Sequence, residues 1–236
     1  MKDLKPRRGA LLLSRLIAEG EHDMQDFKHS VSDPLKIARS ISAFANHRGG
    51  RLLIGVKDNG VIAGVRNEED IYVVESAAAI YCRPPQPVTF TAYRAEGGET
   101  VIIAEVAAAS RRPVEARDAS GVWHAYVRVA DENILAPSVM SQGWKRAASS
   151  AGESWQFTAA ESWLLRRLEE LASVSGVAAE DGRLPARGLT IEEYALGAHI
   201  SQRTAEQSAA RLYAMGVLRL VHTSQGWTLA PAPEEE

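Results

Sequence analysis

The stretch from Glu21 to Gly64 constrains this chain more than any other, because it changes periodicity twice and then turns back on itself. Met24 to His29 alternates as a strand does, with Met24, Asp26 and Lys28 on one face and Gln25, Phe27 and His29 on the other. Asp33 followed by Pro34 predicts a helix start: the Asp side chain serves as N-cap, and proline suits the first helical position. Leu35, Ala38, Ile41 and Ala45 then recur at helical spacing, with Ile37 and Phe44 widening the stripe, until Gly49-Gly50 ends it. Arg51 to Val56 reads as a buried strand. Asp58-Asn59-Gly60 predicts a tight turn, since Asn-Gly supplies positive φ angles, and Val61 to Val65 reads as the return strand.

The flanks extend this pattern. Pro6 to Gly20 predicts a short helix, and Asn67 to Tyr81 another, broken by Arg83-Pro84-Pro85-Gln86-Pro87. Val88 to Ala95 and Thr100 to Val106 alternate like paired strands, Pro113 to Arg117 and Val122 to Val129 add two more, and Ile134 to Ala147 reads as a helix. The first domain is therefore placed at residues 1–147, with a small, polar linker at 148–156. A second domain at 157–230 opens on a capping box, Thr158-Ala-Ala-Glu161, with Ala160, Leu164, Leu168 and Leu171 on one helix face. A Gly/Ala/Pro-rich loop from Ser175 to Gly188 follows. A second box, Thr190 to Glu193, starts a short helix, and Ser201 caps another through Met215. Leu218 to Val221 and Gly226 to Leu229 are short strands, so the layout is a mainly α winged helix. The acidic tail, residues 231–236, is expected to be disordered.

Composition limits the function classes. The chain has 236 residues, 45% hydrophobic and 24% charged, enough for one large or two small domains. It holds no apolar run long enough to span a membrane, and its basic N-terminus lacks the apolar core of a secretory signal. Cys82 is the only cysteine, which excludes an internal disulfide and a thiolate metal cluster and points to the cytoplasm. The net charge of −3 does not advertise nucleic acid, but it is unevenly spread. Residues 1–150 carry 20 Lys+Arg against 18 Asp+Glu, or +2, while residues 151–236 carry 7 against 12, or −5. Charge therefore favours the first part for contact with phosphate.

Several residue groups carry a resemblance to a known family. Asp26-Phe27-Lys28, Ala43-Phe44-Ala45-Asn46, Gly49-Gly50, Leu53-Ile54-Gly55-Val56, Asp58-Asn59-Gly60 and Gly64 follow one another as in the schlafen AlbA_2 family, and Tyr126-Val127-Arg128 followed by Asn133 resembles its later Tyr-x-Arg element. Asp26 stands where glutamate is usual, and His47 where threonine is usual. The resemblance covers about residues 10–147 and implies an α/β (α+β) domain that contacts nucleic acid; a C-terminal winged helix is a common companion in bacterial relatives. Some members resemble metal-dependent RNA endonucleases, and carrying their pattern over implies Glu21, Asp26, Lys28 and Asp58 as catalytic residues. Glu21, Asp26 and Asp58 would be the ligands of Mg²⁺ or Mn²⁺. Other bacterial members are described as DNA-binding or ATP-binding regulators, so a non-catalytic regulator is the alternative.

The residue chemistry fits that assignment without requiring it. Phosphodiester hydrolysis uses carboxylates to hold a divalent cation that activates water. Asp26 and Lys28 share a strand face, but an exposed Asp–Lys ion pair worth about 0–1 kcal/mol explains them equally. No Walker motif is present, since Gly50-x4-Gly55 is followed by Val56 and Lys57, and ATP binding is not expected. Candidate contacts to the RNA or DNA backbone are Arg48, Arg111, Arg112, Arg117 and Arg128, with Arg203 and Arg211 on the reading helix of the second domain. Trp123 and Tyr126 offer stacking surfaces, with core packing as the other use. A homodimer is expected by analogy with other winged helices.

Overall fold

The computed structural model describes residues 4–65, 69–148, 156–174, 188–224 and 226–233. The expected loop at 175–187, most of the linker at 148–156, the start of the helix predicted from Asn67 and the last three residues lie outside the described residues. The chain forms two compact units, Met1–Ala136 and Pro137–Glu236.

In the first unit, β1 (Arg7–Arg8), α1 (Ala10–Glu19), β2 (Gln25–Lys28), α2 (Pro34–Asn46), β3 (Gly50–Ile54), α3 (Glu69–Ile80), β4 (Cys82–Arg83), β5 (Val88–Arg94), β6 (Thr100–Val106), β7 (Glu115–Arg117), β8 (Trp123–Val129) and β9 (Glu132–Leu135) follow in order. Five strands form one mixed sheet in the order β1-β5-β6-β3-β2. Its edges pair in parallel, β1 with β5 and β2 with β3, while the centre is antiparallel. Four strands form a second, antiparallel sheet in the order β4-β7-β8-β9.

Helix α2 is the shared wall between these layers. Asp33 caps it as predicted, accepting from the Leu35 and Lys36 amides. Gly49 ends its turn with φ +86, and at Gly50 a side chain would overlap the Phe44 ring. Ile37, Ala38, Ile41, Phe44 and Ala45 pack with Leu52 and Ile54 of β3, with α3, and with Val114 and Ala116 beside the second sheet. The other face of the first sheet packs Phe27, Leu53, Val101 and Ile103 against Leu13 and Leu16 of α1. Because Ser40 to Asn46 of α2 are all buried, the polar side chains of this stretch must find partners inside. Ser42 Oγ donates to Val114 O (2.8 Å) and accepts from the Tyr126 amide (3.1 Å). Asn46 donates to the carbonyls of Val114 (2.8 Å) and Tyr126 (2.9 Å) and accepts from the Val114 amide (2.8 Å). These bonds tie the second sheet to α2.

Some expected elements differ. Val61 to Val65 is not a strand: a single bridge joins Val56 to Ile62, because the Ala63 and Gly64 amides both bond to Gly55 O and curl the chain into a loop. Gly55 and Gly64 adopt φ +96 and +73 at this close approach. Arg7 and Arg8, read as helical, instead pair with Tyr93 and Arg94. The segment from Ile134 divides at Pro137, its first residues completing β9 opposite Tyr126 and Val127.

The second unit contains α4 (Ser138–Ala147), α5 (Ala159–Val174), α6 (Ile191–Gly197), α7 (Gln202–Ala214) and the hairpin β10 (Leu218–Thr223) with β11 (Gly226–Pro231). Its core gathers Leu164, Leu168, Tyr194, Ala205, Ala209, Leu212, Leu218 and Leu229. The boundary falls before α4 and not after Ala147, since α4 packs on α7. Gly143 permits this: a side chain there would meet the Tyr213 ring. Both capping boxes form. Thr158 and Glu161 bond reciprocally at the start of α5, as do Thr190 and Glu193 at α6. No described helix is long and apolar enough to cross a membrane.

If α2 holds the sheets together through its buried amide, Asn46→Ala leaves the Val114 amide and the Tyr126 carbonyl without their partner. We expect a loss of about 2–4 kcal/mol in urea unfolding. A loss below about 0.5 kcal/mol would show that the clamp is dispensable.

Candidate nucleic-acid interface

Strand β2 lies at an edge of the first sheet, so the outward backbone groups of alternate residues need other partners. Each of them has one. The Gln25 amide and carbonyl exchange bonds with His22. The Phe27 amide donates to Glu21 Oε1 (2.8 Å), and Lys28 Nζ donates to the Phe27 carbonyl (2.8 Å). Two residues of the expected site, Glu21 and Lys28, therefore cap this edge.

The third, Asp26, points to α2 and is 5% exposed. Lys28 Nζ donates to its Oδ1 (2.8 Å), and Ser40 Oγ to its Oδ2 (3.5 Å). Asn133 Nδ2 donates to Ser40 Oγ (2.9 Å), and Arg128 Nη1 to Asn133 Oδ1 (3.0 Å). Arg128 also donates to the carbonyls of His22 (2.8 Å) and Gln25 (3.3 Å), and its guanidinium lies 5.0 Å from the Phe44 ring centre. At 4% exposure it is an internal clamp on the turn that carries Glu21, not the backbone contact the sequence suggested. Burial disfavours its charge, and the carboxylates of Asp26, Asp131, Glu21 and Asp23 oppose that loss.

Glu21, Asp26 and Lys28 are thus brought together as expected, but Asp58 is not. It sits exposed in the turn after β3. Among the described residues no group of three or more His, Cys, Asp or Glu side chains is placed to hold a metal ion. The donor set does not fit the Mg²⁺ or Mn²⁺ implied by the resemblance, because one carboxylate is absent and Lys28 already occupies an oxygen of another. What remains is a carboxyl pair beside an ammonium. Burial raises the pKa of Glu21, and its hydrogen bond with Asp26 raises it further, against the Phe27 amide and Lys28. Glu21 therefore holds its proton more readily than a free glutamate.

A second cluster forms beyond α2. Arg112 Nη2 donates to the His47 carbonyl (2.6 Å), which brings it beside Arg48. Arg48 is 69% exposed and its Nη2 donates to Asp23 Oδ2 (2.6 Å). Burial raises the Asp23 pKa, but hydrogen bonds from Arg48 and His22 outweigh it and hold the group below its usual value. Burial lowers the pKa of His47, with Asp23 opposing that shift and Arg48, Arg112 and Arg128 adding to it. Arg111 and Arg117 are exposed. In the second unit Arg203 is exposed, whereas Arg211 is bound through two nitrogens to the buried Glu161. Sequence reasoning missed Gln25, whose side chain donates to the carbonyls of Leu16 and Gly20 (both 2.6 Å) and accepts from Arg51 (2.6 Å). A buried amide beside a strand pattern was the available signal.

The raised Glu21 pKa has a defined consequence for stability. Its protonated form is favoured by folding, so that contribution is complete below 4.5 and lost as pH rises through the raised value. Glu21→Gln keeps an acceptor for the Phe27 amide and a donor towards Asp26 without a charge. We expect Glu21→Gln to be at least as stable as the wild type at pH 7, and Glu21→Ala to lose about 1 kcal/mol, both read by thermal melting across pH 4–8. A Gln variant as damaged as the Ala variant would contradict the preference for an uncharged side chain at this position.

The Schlafen, AlbA_2 family model matches residues 21–137. No curated protein matches the chain. Among solved structures, the DIP2311 protein from Corynebacterium diphtheriae is similar at 19% identity and a TM-score of 0.44; the match covers 92% of this chain but only 37% of that protein. The family match supports placing residues 21–137 in the Schlafen AlbA_2 family.

Proposed function

We propose that this chain binds nucleic acid through its first unit, holding the phosphate backbone with Arg48, Arg111 and Arg112 and with Lys28 at the edge of β2. The observation that carries this reading is the bond from Arg112 to the His47 carbonyl, which gathers guanidinium groups distant in sequence at one loop. Arginine suits that task because its planar fork matches two phosphate oxygens. The balance of +2 over residues 1–150 agrees with it.

Metal-dependent RNA cleavage is the finer reading that the family resemblance implies, and the missing third carboxylate counts against it. The alternative, a regulator that reads DNA with a winged helix at 157–230, is supported by the order α5, α6, α7 and hairpin. Against it stand the balance of −5 over residues 151–236 and the commitment of Arg211 to Glu161.

Binding of a labelled single-stranded oligonucleotide, followed from low to high salt, tests the leading reading. Arg48→Ala and Arg112→Ala should each weaken binding and lower the magnitude of the log K against log salt slope by about 0.7. An unchanged slope in both variants would contradict it. Incubating RNA with Mn²⁺ or EDTA tests the finer reading. Cleavage that needs Mn²⁺ and is lost in Glu21→Ala and Lys28→Ala would restore the metal-dependent nuclease.

A further inference from the structure

The face of the second sheet that turns away from α2 carries a group of side chains that lie outside the apolar clusters. Cys82 and Ala116 point to the core around α2, so their neighbours Arg83, Glu115 and Arg117 point the other way. Arg117 is paired directly across from Trp123, which puts that indole on the same outer face. Trp123 is half-buried, yet it is not among the residues of the three apolar clusters. Its ring is met by the Arg83 guanidinium, 4.8 Å from the ring centre.

Arg83 is held in that position. Its Nε and Nη2 both donate to Glu115 Oε2, at 3.1 and 2.5 Å, while the side chain stays 57% exposed. The pair fixes the guanidinium over the indole, and the exposed Arg117 adds a second cation to this face. A fixed cation on an aromatic ring, flanked by a second exposed arginine, is the chemistry that receives an unpaired base and its phosphate. Every base has a flat face, whereas a base inside a duplex keeps its faces stacked. The segment from Arg112 to Arg117 spans at most roughly 18 Å, so this group lies within reach of the cluster at His47 along one strand of nucleic acid.

We propose that Trp123, Arg83 and Arg117 form a stacking site for an unpaired base, so that the ligand of this protein is single-stranded nucleic acid. The inference rests on the reading that the first unit meets nucleic acid, and it names the form of the ligand. The plain structural role of the Arg83–Trp123 contact is to clip β4 onto β7 and β8, which predicts an effect on stability alone.

The test measures binding of the full chain to a labelled 20-nucleotide oligo(U), an oligo(dT) and a duplex of the same length at fixed salt. Trp123→Ala and Arg83→Met should each weaken binding to both single strands on the order of 10-fold and leave duplex binding within about twofold. Trp123→Phe, which keeps a flat ring, should retain most of the affinity and also guards against misfolding as the cause. Three results overturn the inference: single-strand binding that neither Trp123→Ala nor Arg83→Met changes, equal losses on single strand and duplex, or a Phe variant as weak as the Ala variant. If the wild type binds neither form, the underlying reading of a nucleic-acid interface fails as well. If it binds and responds to Arg48→Ala but not to Trp123→Ala, only the stacking site fails.

Discussion

The fold depends on a helix whose last two turns, Ser40 to Asn46, have no solvent face. From Ser40 to Asn46, α2 is covered by the five-stranded sheet and α3 and by the four-stranded sheet, so the polar side chains of this stretch must be satisfied internally. Ser42 and Asn46 answer this by bonding the backbone at Val114 and Tyr126, and Ser40 by bridging Asp26 to Asn133. The same helix that organises the core therefore positions the buried carboxylate of the candidate site. Its last turn, ending at His47, also presents Arg48 and receives Arg112. One set of buried hydrogen bonds links the core to both polar clusters.

The edge position of β2 gives Glu21 and Lys28 a task that precedes any chemistry. An unpaired edge invites pairing with another chain, and side chains that bond its outward amide and carbonyl close that route. A residue in this position can look catalytic from its spacing while serving the backbone. The two uses are compatible. Lys28 at 32% side-chain exposure keeps contact with solvent, and burial with the neighbouring Asp26 raises the Glu21 pKa, so the edge carries a cation beside a carboxyl that holds its proton more readily than a free glutamate. A bound divalent cation would have to displace the Lys28 contact and recruit a further ligand.

Sequence signals were most legible where a local rule acts alone. The cap at Asp33, the glycine pair at 49–50, the two capping boxes and the β5–β6 pair are all decided within a few residues. Signals failed where a partner distant in sequence decides. Val61 to Val65 has the composition of a strand, but Gly55 takes its amides into a loop. Ile134 and Leu135 have helical neighbours, but β8 captures them. Formal charge cannot tell a buried arginine from a free one. Arg128 and Arg211 counted as phosphate contacts, and the fold commits them to backbone carbonyls and to Glu161. Arg83, outside the sequence reading of the interface, gains its setting only when β4 aligns with β7.

Hydrogen–deuterium exchange of the full chain, with and without a saturating single-stranded 20-nucleotide RNA, locates the surface that meets nucleic acid. If the first unit holds the strand, new protection appears in the backbone at 47–51 and at 111–117, with the α7 segment at 202–211 unchanged. Protection confined to 202–211 would move the interface to the second unit and contradict that placement.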